Sequence, residues 1–196
     1  RTLLSGWLLA LALALACGIG GPALAAPAPT LRFEHLSVED GMAQETVLAI
    51  AQDRDGFMWF GTQNGLSRFD GYRFINFRHL IGDPTTLGSN YIRVLRVDGK
   101  GRLWIGTDGG LALYDPTSQA FRRFLPRDES ARRGNGNRHV LAIAEDGKDG
   151  LWLGTGDGLQ HFDIASGSFT TWHHVAGDPN TLADDEINAL ALDKRG

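Results

Sequence analysis

Cysteine is almost missing from this chain: Cys17 alone in 196 residues. It lies in an apolar leader, and once that leader is cleaved no thiol remains, which excludes disulfides, Cys-ligated zinc and cysteine catalysis. A surplus of positive charge is lacking as well. Nineteen Lys and Arg against 23 Asp and Glu give a formal net charge of −4, with both signs mixed along the sequence, so nucleic acid and anionic membrane are not expected as partners. Helical periodicity is the third absence. Beyond the leader no stretch keeps an apolar i, i+3, i+4, i+7 face between caps, and no Gly-rich loop precedes a helix to cradle a phosphate.

Metal-ligand spacing is not evident either. His173 and His174 are adjacent, and neighbours on a strand face opposite ways, so the pair cannot hold one ion together. His35 and His79 occupy related places in outer strands, which assigns them structural or solvated roles. Most aspartates recur at turns rather than as the paired constellation that acid–base catalysis requires. No metal, no cofactor and no catalytic residue is expected.

What is present begins with "RTLLSGWLLALALALACGIGGPALAAPAP". One positive charge at Arg1, an apolar run ending at Gly18, Gly20, Gly21 and Pro22, and Ala23 and Ala25 in an A-x-A arrangement make a cleavable secretory signal over 1–25, followed by a linker over 26–30. A retained anchor is the competing reading, for which the run is short. Export places the mature chain in the periplasm or outside the cell.

The mature chain repeats itself. Trp59, Trp104 and Trp152, 45 and 48 residues apart, each open a Trp-apolar-Gly-Thr motif containing Gly61, Gly106 and Gly154. An aspartate stands six positions before each Trp, at Asp53, Asp98 and Asp146, and a fourth register begins with Ile187, Leu190 and Asp193. Such a period means propeller blades or a helical solenoid. Runs of four to seven β-branched and aromatic residues between Gly, Asp, Asn and Pro favour strands.

One unit reads as four strands, 91–97, 103–107, 110–114 and 120–124 in the second copy, joined by "DGKG", a two-residue turn and "DPTS". "QNGL" (63–66) places Asn-Gly where a type I′ turn is expected. The fold class is therefore all-β: a β-propeller of four-stranded antiparallel blades, here a partial ring of about three blades over 46–79, 90–125 and 138–174, with the next starting at 186. Inner strands covered on both faces can be apolar without alternation. Trp59, Trp104 and Trp152 are expected in the wedges between blades, and Gly61, Gly106 and Gly154 where a neighbouring backbone approaches. Ala49, Val94, Ala142 and Ala189 put the strand before each Asp nearest the axis. Residues 31–45 read as a closing strand (31–36) and its loop.

The segments "FEHLSVEDGM", "FMWFGTQNGLSRFDGYRF" and "LWIGTDGGLALYDP", with the "GDPxTL" linkers at Gly82–Leu87 and Gly177–Leu182, resemble the two-component regulator propeller repeats of bacterial sensors over about residues 31–196. The resemblance implies the periplasmic part of an inner-membrane protein with many blades, followed by an immunoglobulin-like domain, a membrane helix and a histidine kinase or diguanylate cyclase. It implies as partners the remaining blades and signalling domains, a small-molecule or oligosaccharide stimulus, and a second copy in a homodimer. The linker 125–140 departs from the pattern. It lacks Asp-Pro-x-Thr-Leu and, with Arg122 and Arg123 before it, gathers Arg127, Arg132, Arg133 and Arg138, read as a solvated loop against an anion-site alternative.

Strand order places the second-to-third and fourth-to-first connections on one face. That face holds Gln63, Asn64, Asn90, Asp108, Arg138, Asp157 and Asp185, the candidate ligand-binding residues, with the "DxxG" turns on the other. An extracytoplasmic sensing module is the leading expectation. An exported propeller enzyme, of lyase or quinoprotein type, and a protein-binding scaffold are the alternatives.

Overall fold

The structure, a computed structural model, describes residues 33–126 and 138–193. The leader with its cleavage motif and Cys17, and Arg127, Arg132 and Arg133 of the basic linker, lie outside them. The chain divides into two compact units, Arg1–His35 and Leu36–Gly196, and the described strands fall in the second.

Among the described residues twelve strands form three antiparallel sheets of four, each in sequence order. The first blade is β1 (Val47–Gln52), β2 (Met58–Thr62), β3 (Gly65–Phe69) and β4 (Phe74–Phe77). The second is β5 (Ile92–Val97), β6 (Leu103–Thr107), β7 (Gly110–Asp115) and β8 (Ala120–Phe124), and the third is β9 (Val140–Glu145), β10 (Gly150–Thr155), β11 (Gly158–Asp163) and β12 (Ser168–Trp172). The second blade matches its sequence reading to within a residue at each strand end. β1 lies beside β5, and β5 beside β9, so the first strand of each blade is the inner one and the blades follow one another as an unclosed propeller. Residues 33–36, from the expected closing strand, form no strand.

Each seam between blades has its own core. Trp59, Leu66 and Leu87 pack with Ile92, Ile105, Tyr114 and Phe121 in the first seam; Trp104, Leu111 and Phe124 pack with Val140, Leu153 and Phe162 in the second. β6 feeds both, Leu103 and Ile105 toward one neighbour and Trp104 toward the other, which is why all five of its residues are buried. Trp59 meets Tyr114 of the next blade edge-on at 4.8 Å, and Trp104 meets Phe162 at 6.0 Å.

The motif's other letters have equally definite tasks. Asp98 bends its own turn by accepting the backbone N–H groups of Lys100 and Arg102 on Oδ1, and its Oδ2 accepts the Trp104 indole N–H at 2.9 Å. Asp53 does the same for Asp55, Phe57 and, at 2.7 Å, Trp59. Burial would raise the Asp98 carboxyl, but the hydrogen bonds from Trp104 and Arg102 outweigh it and hold the group below the ordinary carboxylate range. The threonine closes the next turn: Thr62, Thr107 and Thr155 each donate to the carbonyl three residues on, at 2.8–2.9 Å.

The glycine between them is a seat for the following blade. A Cβ on Gly106 would stand 2.5 Å from Val94 and 2.8 Å from the Val140 carbonyl oxygen, and one on Gly61 would stand 2.6 Å from Ile92. A one-residue bulge recurs opposite this glycine, at Leu48, Arg93 and Leu141, where the inner strand skips a residue of its pairing.

The β2–β3 turn differs from the type I′ expectation. Neither Gln63 nor Asn64 has positive φ; the left-handed residue is Gly65, at φ 123°. The Thr62 hydroxyl accepts from the Asn64 N–H at 3.1 Å, and the positive φ falls on the first residue of β3 instead of on the central pair.

Trp152, expected in a wedge between blades, has no sheet after β12 beside it among the described residues. It is half-buried, and Asp146 accepts from His161 Nε2 at 2.8 Å instead of from an indole. The Trp152 ring rests on His161 and on the exposed Trp172 of its own blade. Ile187 nevertheless lies on Gly154 as Ile92 lies on Gly61, and its N–H donates to the Thr155 carbonyl at 2.9 Å.

Gly106→Ala is expected to lose about 1–3 kcal/mol of stability through overpacking against the Val140 backbone, which has no rotamer to yield; urea unfolding checks it, with Tyr72→Ser as a control at a fully exposed position. Asp98→Asn should cost about 1–3 kcal/mol at neutral pH, because charge-assisted bonds from an indole and a guanidinium are lost. A carboxyl held low in the fold gives its full stabilisation above the unfolded value, roughly 3.9, and loses it as pH falls through the folded value. Acid titration of the unfolding free energy should therefore be shallower for the variant.

Candidate functional site

The two classes of connection meet on one face, as strand order requires. The Gly65 N–H donates to the Asn90 carbonyl at 2.8 Å and the Gly158 N–H to the Asp185 carbonyl at 2.6 Å, tying a blade's second turn to the segment that opens the next blade. Asp108 N–H reaches the Tyr91 carbonyl, and Gly156 N–H that of His139, within one blade. Gln63, Asn64 and Asn90 are thereby brought to one seam, and Asp157 and Asp185 to the next.

At the first seam Gln63 donates to the Tyr91 hydroxyl at 3.4 Å, and Asn64 stands next to the Gly65–Asn90 bond. The Asn90 side chain is committed, its Oδ1 accepting the His79 N–H at 2.7 Å. Asp185 makes the same bond to the His174 N–H at 2.6 Å. His79 and His174 are structural in turn, each ring Nδ1 lying 2.6 Å from a carbonyl of its "GDPxTL" linker, Leu87 or Leu182. This agrees with the structural role expected of His79.

Asp108 faces Arg93, which holds it with Nε at 2.6 Å and stacks on the Tyr91 ring at 4.3 Å. The Asp108 hydrogen bond and charge lift the Arg93 guanidinium above its ordinary value. Arg138 is exposed two residues before β9. Asp157 and Asp185 converge on His173, their Oδ1 atoms 3.8 and 3.7 Å from its Nδ1. Arg93 and Tyr91 are members of these clusters that the sequence did not single out, and His173 was weighed there only as a partner of His174. Arg93 sits at the bulge, where alternation no longer tells which way a side chain points; Tyr91 adjoins Asn90; His173 follows the last residue of β12.

The opposite face carries the aspartate turns and is spent on joining blades. Arg54 donates to the Gly99 carbonyl, Glu145 accepts from Gly99 N–H at 2.8 Å and from Arg96 at 3.0 Å, and Asp149 receives both Arg102 and Lys100 at 2.6 Å. Asp149 stands where the other copies have Gly56 and Gly101, and it adopts the same left-handed conformation, φ 78°. Hydrogen bonds from Lys100 and Arg102 hold its carboxyl low. The two described arginines that precede the basic linker are also engaged. Arg123 donates to the Asp83 and Pro84 carbonyls of the preceding linker at 2.6 and 3.3 Å, and Arg122 lies over Phe124.

Comparison with known proteins agrees with this architecture. The two component regulator propeller family matches residues 41–64 and 86–109. The extracellular domain of BT3049 from B. thetaiotaomicron, named as a hybrid two component system, superposes with a TM-score of 0.65 at 28% identity over 78% of this chain and 21% of its own. The extracellular domain of the BT4673 system from the same organism gives a TM-score of 0.68 at 25% identity over 86% of this chain and 24% of its own. Histidine kinase P4 of Formosa agariphila is 38% identical over 55 residues, 28% of this chain and 4% of that protein. The chain spans less than a quarter of each of these relatives. Two stretches of the chain, residues 41–64 and 86–109, thus match the two component regulator propeller repeat, and they lie in two consecutive four-stranded blades.

Proposed function

We propose that this chain is the extracytoplasmic, ligand-sensing part of a membrane-bound bacterial signalling protein, with a histidine kinase as output. The observation that carries the reading is the likeness, over 78% and 86% of the chain, to extracellular domains of bacterial signalling systems. The matched stretch of a histidine kinase favours kinase output over a diguanylate cyclase. The stimulus is a small molecule or oligosaccharide received on the face of Gln63, Asn64, Asn90, Asp108, Arg138, Asp157 and Asp185. The chemistry of that face supports this choice: amides, carboxylates and a guanidinium beside tyrosine and tryptophan rings are suited to polar, hydroxyl-rich ligands. The other face has its charges paired across the blades.

A ligand can drive output only by binding one arrangement of blades or subunits more tightly than another. In the full-length protein reconstituted in vesicles, Gln63→Ala and Arg138→Ala should weaken the autophosphorylation response to an oligosaccharide panel about tenfold, equivalent to roughly 1.4 kcal/mol of differential binding. Basal phosphorylation should be unchanged. Responses equal to the parent's in both variants contradict the assignment of this face.

A further inference from the structure

We infer that Asp157, His173 and Asp185 form a binding site for a divalent transition-metal cation of the zinc class. The three come from different segments: the turn between β10 and β11, the residue after β12, and the stretch that opens the next repeat. Their ligand atoms all lie within 4.8 Å of one another. The His173 Nδ1 is 3.8 Å from one carboxylate oxygen and 3.7 Å from the other, too far for a hydrogen bond to either. Donors sharing a tetrahedral ion at about 2.1 Å stand roughly 3.4 Å apart, so the histidine needs to approach each carboxylate by only a few tenths of an ångström, and the two carboxylates, within 4.8 Å of each other, need at most a side-chain rotation to seat the ion. One imidazole and two carboxylates suit a borderline cation and leave a fourth position open to water or to an oxygen of a ligand.

The first seam shows that these residues are a departure from the repeat. Asn64 follows Thr62 by two positions as Asp157 follows Thr155, and Asn90 accepts the His79 N–H as Asp185 accepts that of His174. Arg78 precedes His79 as His173 precedes His174. Two amides and a guanidinium in one seam thus become two carboxylates and an imidazole in the other. A position served by a built-in positive charge is exchanged for a set of donors that attracts one.

The ligands are also oriented from behind, as metal ligands generally are. Asp185 Oδ1 is fixed by the His174 N–H at 2.6 Å and keeps a lone pair for the ion, while the Asp157 N–H is held by the Thr155 hydroxyl at 3.1 Å. His174 takes no part, since its Nδ1 lies against the Leu182 carbonyl at 2.6 Å. The adjacent histidines therefore divide their work, one in the linker and one toward the carboxylates. The inference stands apart from the signalling role and does not require it.

Calorimetric titration of the full chain, free of any histidine tag, with Zn²⁺ tests it. One saturable equivalent is expected, weakened at least tenfold in Asp157→Asn, Asp185→Asn and His173→Ala, and unaltered in His161→Ala. Asp185→Asn is the decisive variant, because an amide oxygen still accepts the His174 N–H, as Asn90 does for His79, so the loop keeps its shape. Thermal unfolding of each variant without metal verifies that shape. Absence of saturable binding in the parent, parent-like binding in Asp185→Asn, or a preference for Ca²⁺ over Zn²⁺ overturns the assignment.

Discussion

A carboxylate that caps its own turn while accepting an indole proton is the constraint from which the rest of this fold follows. In Asp98 one oxygen holds the "DGKG" turn and the other fixes Trp104, so the loop at one end of the blade and the packing in its seam are set by the same side chain. Asp53 and Trp59 repeat the arrangement. With the indole so oriented, its ring meets the aromatic residues of the following blade, Tyr114 or Phe162. The bare glycine two residues on then admits that blade's inner strand. Polar geometry and apolar burial thus specify the same neighbour, which is the agreement between levels that a unique fold needs.

Linkers complete the work of the seams. "GDPTTL" contributes the buried Leu87 to the first seam and lends its Thr85 carbonyl to Phe121 N–H on the outer strand of the second blade. An outer strand is a free edge on which another chain could pair, and here a turn of the preceding connection occupies part of it. Arg123 reinforces the join through the Asp83 and Pro84 carbonyls. Charge near this edge is therefore devoted to holding blades together. The exposed ion pairs of the aspartate-turn face add register more than energy, since such pairs contribute about 0–1 kcal/mol each.

The architecture was legible in the sequence because it is written three times. Trp, Gly and Thr at a fixed offset from Asp, between turn residues, identify the second strand of each blade, and small residues such as Ala49 and Ala142 on the first strand mark the axis. The spacing of six between Asp and Trp was visible; that it is a hydrogen bond was not, since a turn alone accounts for the aspartate. Arg93 was hidden by the bulge, which shifts the alternation by one. The turn type at Gln63–Asn64 was misjudged because Asn-Gly suits more than one reversal, and the threonine hydroxyl decides which. The third blade kept its letters but changed its bond: His161 takes the place of the indole at Asp146. Of the candidate site, strand order revealed the face. The partners that Asn90, Asp108 and Asp185 select there depend on contacts between segments far apart in sequence.

The claim is judged most directly by removing the carboxylate from a seam that has both its blades. The Trp104 indole N–H donates to Asp98 Oδ2 at 2.9 Å, and its ring meets Phe162 of the following blade. Hydrogen exchange of the indole N–H groups, followed by NMR on the folded chain, reads that bond in the parent and in Asp98→Ala. Protection of Trp104 greater by orders of magnitude in the parent, with Trp59 unchanged, is the predicted outcome. Equal exchange of Trp104 in the two proteins would contradict the account, because the seam would then be held without its carboxylate.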